Sequence, residues 1–445
     1  MIFDFLIMKR ILQWKLEILA KLYIWKYRPM IIGVTGNAGK TSTKEVIGAV
    51  VSQIKKVRIA SGNLNNEFGL PLTIIGGWDE EYYTQGPSLW FWFKVLTLGW
   101  LRLLRHQNYP EVLVLEYGAD KVGDIKNLVN KYKPHISVIT TVGDTPVHIE
   151  FFKTAEAMAN EKANLIKVLS ASDFAILNHD DHRVLEMRSK TKAEVLTYGF
   201  DQGSTIRVSD VEYTSNEEGQ PTGVTFKLNQ FNPTNALGGI HFVPVRIDGS
   251  LGKSQAWSSA AASAIGSILG MNLIQVSEAL NKYHGPKGRL KILQGIKNSN
   301  IIDDTYNASP ASTCLALETL RDVPALRKVA ILGDMLELGE YSEKAHRDIG
   351  IFASEIADIL ICVGPQAKFI AEGASKKLPS DKILIFDNSN EAKLRIGELI
   401  KEHDLILVKG SQGIRMEKIV EEIIANPENK KNLLVRQSQK WLAMS

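Results

Sequence analysis

Residues 33–45 read GVTGNAGKTSTKE and continue the short apolar run MIIGV. An apolar strand feeding a glycine-rich turn and then a helix-compatible segment is the arrangement that cradles a phosphate. The glycines let backbone amides close around phosphate oxygens, and the first turn of the next helix adds partial positive charge. Gly36, Asn37, Ala38, Gly39, Lys40, Thr41 and Ser42 are therefore the expected nucleotide-contacting residues. Lys40 is placed to reach the β and γ phosphates, and the Thr41 hydroxyl to ligate Mg2+. The spacing is T-G-x-x-G-K-T, with Val34 where the common phosphate loop has its first glycine.

Such a loop needs a parallel sheet, and the chain offers the pieces of one. Strand-like runs recur at EVLVLEYG, HISVITTV and DFAILN, with helix-length segments between them. This predicts an α/β fold with a mainly parallel sheet and helices on both faces. Residues 204–247 change texture to β-branched alternation and turn residues, which predicts a small antiparallel addition, followed by Ala- and Ser-rich helices over 255–283. HGPKGRLK, 284–291, reads as a boundary. Beyond it NIIDD, KVAILGD, ADILICVG, KILIFD and DLILVKGS predict a second, Rossmann-like α/β domain. The expected division is a basic helix within 1–29, a nucleotide-binding domain over 30–285 carrying an aromatic helical insertion at 88–107, and a C-terminal domain over 286–445.

Charge is unevenly placed. Residues 1–29 hold six basic side chains against Asp4 and Glu17, a surplus of four that equals the net charge of all 445 residues. No basic stripe covers the rest, so a nucleic-acid partner is not expected. Two cysteines exclude a disulfide framework and fit a cytoplasmic setting. SLWFWFKVLTLGWLRLLRHQ, 88–107, has three Trp, no acid, and Lys94, Thr97, Arg102 and Arg105 on one arc of a helical wheel. Helices 9–28 and 88–105 are expected either to lie on the inner face of a membrane or to pack on each other, or across a dimer, and cover apolar surface of the core.

Metal and substrate residues are less local. Glu116 ends the strand VLVLE at the carboxyl edge where α/β sheets place ligands, so its carboxylate can serve Mg2+. His148 follows the next strand-like run.

Taken in order, GVTGNAGKTSTKE, GNLNNEFGLPLT, EYGADKVGDI, EKANLI, LNHDD, IIDDTYNASP, ILGDMLELGE and VKGSQGIRME resemble the Mur ligases, in the branch that joins D-alanyl-D-alanine to a UDP-muramoyl tripeptide. The resemblance implies an ATP-dependent amide ligase of peptidoglycan precursor synthesis working through an acyl phosphate. It implies Glu116 and His148 as metal ligands, with Lys40 catalytic, and Lys162 as a carbamylated lysine that supplies a carboxylate to a second Mg2+. It places Asn65 or Asn66 near the phosphates. Gln255, between Ser254 and Ser258, stands at the adenine position, and Arg289 and Asp304 close on the nucleotide from the second domain. Asn307, Lys409 and Ser411 fall on the substrate side. Three departures bear on this. Ser254, Gln255 and Ser258 stand where the family has His-Asn and a second Asn three residues later. Residues 1–29 are too short for the family's UDP-gripping domain, so UDP is expected to be held by other means, or the acceptor to be a lipid-linked or amino-acid compound. The loop between Thr141 and His148 is longer than the family's. A non-catalytic nucleotide-binding scaffold at the membrane is the third reading. The chemically competent side chains of Lys40, Thr41, Glu116, Lys162, Arg289 and Asp304 argue against it.

Overall fold

A computed structural model describes residues 2–62, 64–105, 108–143, 152, 154–230 and 241–443. The chain opens with a 26-residue helix, α1 (Ile2–Tyr27), seven residues longer at its start than the sequence pattern marks. Nothing between Ile2 and Met8 interrupts a helix, since that run contains neither Gly nor Pro. Pro29 follows its end. β1 (Met30–Thr35), α2 (Lys40–Val51), β2 (Val57–Ile59), α3 (Gly69–Ile75), α4 (Asp79–Thr84) and α5 (Leu89–Leu104) come next. β3 (Val112–Glu116), α6 (Asp124–Lys131), β4 (Ile136–Ile139), α7 (Ala155–Lys162), β5 (Phe174–Asn178) and β6 (Glu194–Gly199) continue the alternation. β7 (Ile206–Ser215), β8 (Pro221–Gln230) and β9 (His241–Asp248) finish the first sheet, whose order is β2-β3-β1-β4-β5-β6-β7-β8-β9. Pairing is parallel through β7 and antiparallel among β7, β8 and β9. The antiparallel addition thus extends the same sheet.

Central strands β1, β3 and β4 are buried at nearly every position, as expected for parallel strands covered on both faces. One face packs on α2 and the helix Lys253–Ile268, with Val46, Ile47, Ala260 and Ala264 among the contacts. The other packs on α1, α3 and α5 through Leu16, Leu19, Tyr23, Leu72, Phe91 and Val95. The chain then crosses to a second sheet over residues 282–290. That sheet comprises β10 (Lys291–Gln294), β11 (Asn300–Asp304), β12 (Lys328–Gly333), β13 (Ile359–Val363), β14 (Ile383–Phe386) and β15 (Leu405–Lys409), in the order β10-β11-β15-β12-β13-β14. Only β10 runs antiparallel to its neighbour. The chain end returns to the first domain, where the Ser438 hydroxyl donates to the Tyr83 carbonyl at 3.2 Å.

Among the described residues no helix is long and apolar enough to cross a membrane.

Candidate active site

The register of the first sheet assembles the site. Val34 of β1 lies beside Glu116 of β3, so the loop leaving β1 and the carboxylate ending β3 share one sheet edge. Gly36 has φ +150°, and a Cβ there would stand 1.9 Å from the Thr140 hydroxyl. Gly39 takes the left-handed conformation at φ 82° and caps α2 without a side chain, leaving the first amides of that helix facing the loop. The turn is braced from β4's end: the Asn37 amide donates to the Thr141 carbonyl at 2.6 Å, and the Thr140 hydroxyl donates to the Ala38 carbonyl at 2.6 Å. Gly36→Ala is expected to cost about 1–3 kcal/mol of stability through overpacking and to remove nucleotide binding. Thermal unfolding and fluorescent-nucleotide titration would check it.

Lys40 curls back over the loop, its ammonium 2.8 Å from the Gly36 carbonyl and 3.3 Å from that of Asn37. The Thr41 hydroxyl stands 3.4 Å from Glu116 Oε2, and the Asn65 amide donates to Glu116 Oε1 at 3.2 Å. Burial pushes the Glu116 carboxyl up, but Lys44 and Lys40, with the Asn65 amide, outweigh it and hold the group below its ordinary value. Asn66 caps the approach to α3 instead, its Oδ1 accepting from the amides of Phe68 and Gly69. Lys44 escaped sequence reading. It is fully buried, with its ammonium 2.9 Å from the Gly62 carbonyl and 3.4 Å from Glu116. The clue was only its place one helical turn after Lys40 on the same helix.

Lys162 ends α7 and is buried. Burial pulls its ammonium down to about 7, Lys40 adds repulsion, and Glu161, Glu116 and Asp120 oppose the shift. His148 lies outside the described residues. A cleft of about 870 Å³ opens beside Asn65, Asn66, Gly118 and Asp120, with Gln13 of α1 and Lys131 of α6 on its far wall.

The second domain reaches into this edge. Arg289 donates to the Thr41 hydroxyl at 3.1 Å while its guanidinium centre lies 4.1 Å from the Tyr306 ring. Tyr306 is also held by Arg436, which donates to its carbonyl and to that of Thr305. Tyr306 lies within IIDDTYNASP but was not singled out there, and Arg436 lies in none of the quoted stretches. Asp304 and Lys409 form a buried ion pair at 2.6 Å. Asp304 also accepts from the Leu290 amide at 3.3 Å, and Lys409 donates to the Asn307 carbonyl at 2.9 Å. The Ser411 hydroxyl donates to the Ala308 carbonyl and accepts from the Leu336 amide. The structure therefore gathers Asp304, Asn307, Lys409 and Ser411 into one cluster that braces the turn after β11.

Three buried side chains fit a polar ligand at this edge. Arg289 Nε, Asn37 Oδ1 and both amide atoms of Gln255 have no hydrogen-bond partner among the described residues. Gln255 is fully buried, and a Cβ at Gly285 would stand 3.8 Å from its Nε2, so its amide does not face solvent. Ser258 contacts Thr43 of α2, its hydroxyl 3.1 Å away, and so serves helix packing.

Comparison with known proteins supplies independent ground. The Mur ligase middle domain matches residues 98–243, and the Mur ligase glutamate ligase domain matches residues 288–412. The UDP-N-acetylmuramoyl-tripeptide–D-alanyl-D-alanine ligase of Bacillus subtilis (strain 168) is 29% identical over 414 residues, covering 93% of this chain and 79% of that one. The enzyme of the same name from Escherichia coli (strain K12) is 27% identical over 402 residues, 89% of this chain and 77% of that one. The crystal structure of MurF ligase from Thermotoga maritima, a complex with ADP, superposes with a TM-score of 0.73 at 26% identity, covering 92% of this chain and 82% of that chain.

Proposed function

The chain belongs to the Mur ligase family, and on that premise we propose that it is the ATP-dependent ligase that joins D-alanyl-D-alanine to a UDP-muramoyl tripeptide. The observation that carries this is the meeting of both domains at one point: Arg289 of the second domain touches Thr41 of the phosphate loop. A joint of this kind lets closure of the second domain bring a cationic donor to a transferring phosphoryl group.

The chemistry follows from the groups present. A carboxylate oxygen of the tripeptide attacks the γ-phosphorus of ATP, the bond to the β,γ-bridging oxygen breaks, and ADP leaves. The amine of D-alanyl-D-alanine then attacks the acyl carbon of the mixed anhydride. A tetrahedral intermediate collapses with loss of phosphate, and the nitrogen gives up a proton. Charge builds on phosphoryl and carbonyl oxygens, so positioned donors carry the catalysis. Lys40 exchanges the carbonyls of Gly36 and Asn37 for β and γ phosphate oxygens. The free amides of the first turn of α2 hold the phosphates, and Arg289 moves from Thr41 to the transferring group.

The donors fit Mg2+. A hydroxyl and an ionised carboxylate stand side by side at Thr41 and Glu116. Mg2+ takes few protein ligands and keeps water and phosphate oxygens. Thr41 and Glu116 would hold one ion, with a carbamylated Lys162 serving a second and His148 a further ligand. Bound Mg2+ would offset the negative charge of the phosphates. Gln255 reads the adenine edge in this account, and the reaction takes place in the cytoplasm, with peripheral contact at the inner membrane face through residues 9–28 and 88–105.

Arg289→Ala is expected to lower kcat about a hundredfold, the effect of losing one donor to a transition state. It is also expected to weaken the domain contact, seen as loss of nucleotide-induced compaction in small-angle scattering. Full activity in this variant would remove the joint from the mechanism. The ligase reading itself is tested by mass spectrometry of the product formed from ATP, UDP-muramoyl tripeptide and D-alanyl-D-alanine. ATP turnover without the expected amide would shift the acceptor to another compound.

A further inference from the structure

α5 is amphipathic in an inverted sense. Its polar arc is spent on the protein itself. Lys94 pairs with Glu81, and Arg102 donates to the Gly76 carbonyl at 3.1 Å with its guanidinium 4.8 Å from the Trp78 ring. Phe91, Val95, Gly99 and Leu103 form the buried stripe against the core. The face that remains, turned to solvent, is Leu89, Trp90, Phe93, Trp100, Leu101 and Leu104, with Trp90 69% and Leu104 78% exposed. Soluble surfaces seldom gather so many large apolar side chains in one patch.

α1 repeats the pattern beside it. The two helices are joined by Tyr23, whose hydroxyl donates to the Gly99 carbonyl at 2.8 Å, and by Lys26, which donates to the carbonyls of Leu103 and Arg105. α1 buries Leu16, Leu19, Ala20 and Tyr23 in the same core cluster. On the opposite side it exposes Ile7, Ile11, Trp14 and Trp25, the last two by 60% and 73%. Helical spacing puts Arg10 and Lys21 along one edge of that stripe and Lys15 and Lys26 along the other. Both helices therefore turn apolar, Trp-rich faces away from one core, and the basic residues of α1 stand at the rim.

We propose that the outward faces of α1 and α5 seat the protein on an anionic lipid bilayer. Tryptophan and aliphatic side chains at headgroup depth, with Lys and Arg at the edges, are what an interfacial helix needs. The charge selects the occupant. The positive surplus of residues 1–29 equals that of the whole chain, so a second copy docked face to face would set two basic rims together, whereas anionic headgroups neutralise one. The proposal is independent of which acceptor the ligase uses.

Flotation of the full chain with vesicles tests it. With phosphatidylglycerol in a phosphatidylcholine bilayer the protein should float, with a blue shift of tryptophan emission that high salt reverses. The variants Trp90→Ser/Phe93→Ser/Leu104→Ser and Arg10→Glu/Lys15→Glu should each bind about tenfold more weakly and keep their acceptor-dependent phosphate release. Failure of the parent to float with phosphatidylglycerol, or equal binding to phosphatidylcholine alone, would overturn the proposal. So would a dimer that ignores vesicles and dissociates in the triple variant, which would make this face an interface between copies.

Discussion

Lys40→Ala should lower acceptor-dependent phosphate release by about a thousandfold, the upper range for removing one preorganised donor. The ammonium lies folded over the loop, held by the Gly36 and Asn37 carbonyls. Burial draws it down, Glu116 draws it up, and Arg289 and Lys44 draw it down again. It is thus placed to exchange two neutral acceptors for phosphate oxygens. The loss should fall on kcat and on the KM for ATP together, because both ground state and transition state carry the β and γ phosphates. Lys40→Arg should recover little, since a planar fork does not replace a compact ammonium in a loop shaped around it. Steady-state kinetics with both substrates would check this. Activity within a few-fold of the parent would mean that the loop does not bind ATP as described.

The second large effect belongs to Lys162. Only an unprotonated amine adds carbon dioxide, and burial with Lys40 nearby brings this lysine down to about 7. A substantial share is then neutral at physiological pH, where an ordinary lysine is almost entirely charged. The modified protein should be one carbon dioxide heavier in native mass spectrometry. Activity should fall when bicarbonate is stripped and return when it is added. Lys162→Ala should lose about a hundredfold or more, with partial recovery from a small added carboxylate.

A stability measurement separates chemistry from folding. In protein freed of carbon dioxide, the folded state resists protonating Lys162, whereas the unfolded chain protonates it at the ordinary value of 10.5. Its destabilising charge is fully present below about 7 and fades as pH rises toward 10.5. Lys162→Met should therefore melt higher than the parent near pH 6, with the gap closing in alkali. An inactive variant that is also less stable near pH 6 would contradict this account.

Much of this arrangement was legible in sequence because it is local. The phosphate loop follows its strand directly, and each β-branched run of the two sheets became a strand. Glu116 was marked because it ends an apolar strand at the carboxyl edge, where α/β sheets place ligands, and because EYGADKVGDI belongs to the family pattern. What stayed hidden depends on distance along the chain. Tyr306 is clamped by Arg436 from 130 residues away, a contact with no local signature. Lys44 looked like an ordinary helix lysine until β3 placed Glu116 over it. Asn65 and Asn66 are adjacent and alike, yet the fold sends one to Glu116 and the other to cap α3. Of the two readings of α1 and α5, packing over the first sheet accounts for one face of each helix. Each helix has a face for the core and a second apolar face that the core leaves uncovered.

The account's central claim is one active site made by two domains around the phosphate loop, working as a ligase. The most direct measurement is phosphate release by the purified chain with ATP and Mg2+, offered UDP-muramoyl tripeptide with and without D-alanyl-D-alanine, beside Lys40→Ala. The account predicts sustained release that needs both substrates and disappears in the variant. Release that ignores both substrates, or that Lys40→Ala retains, would contradict it.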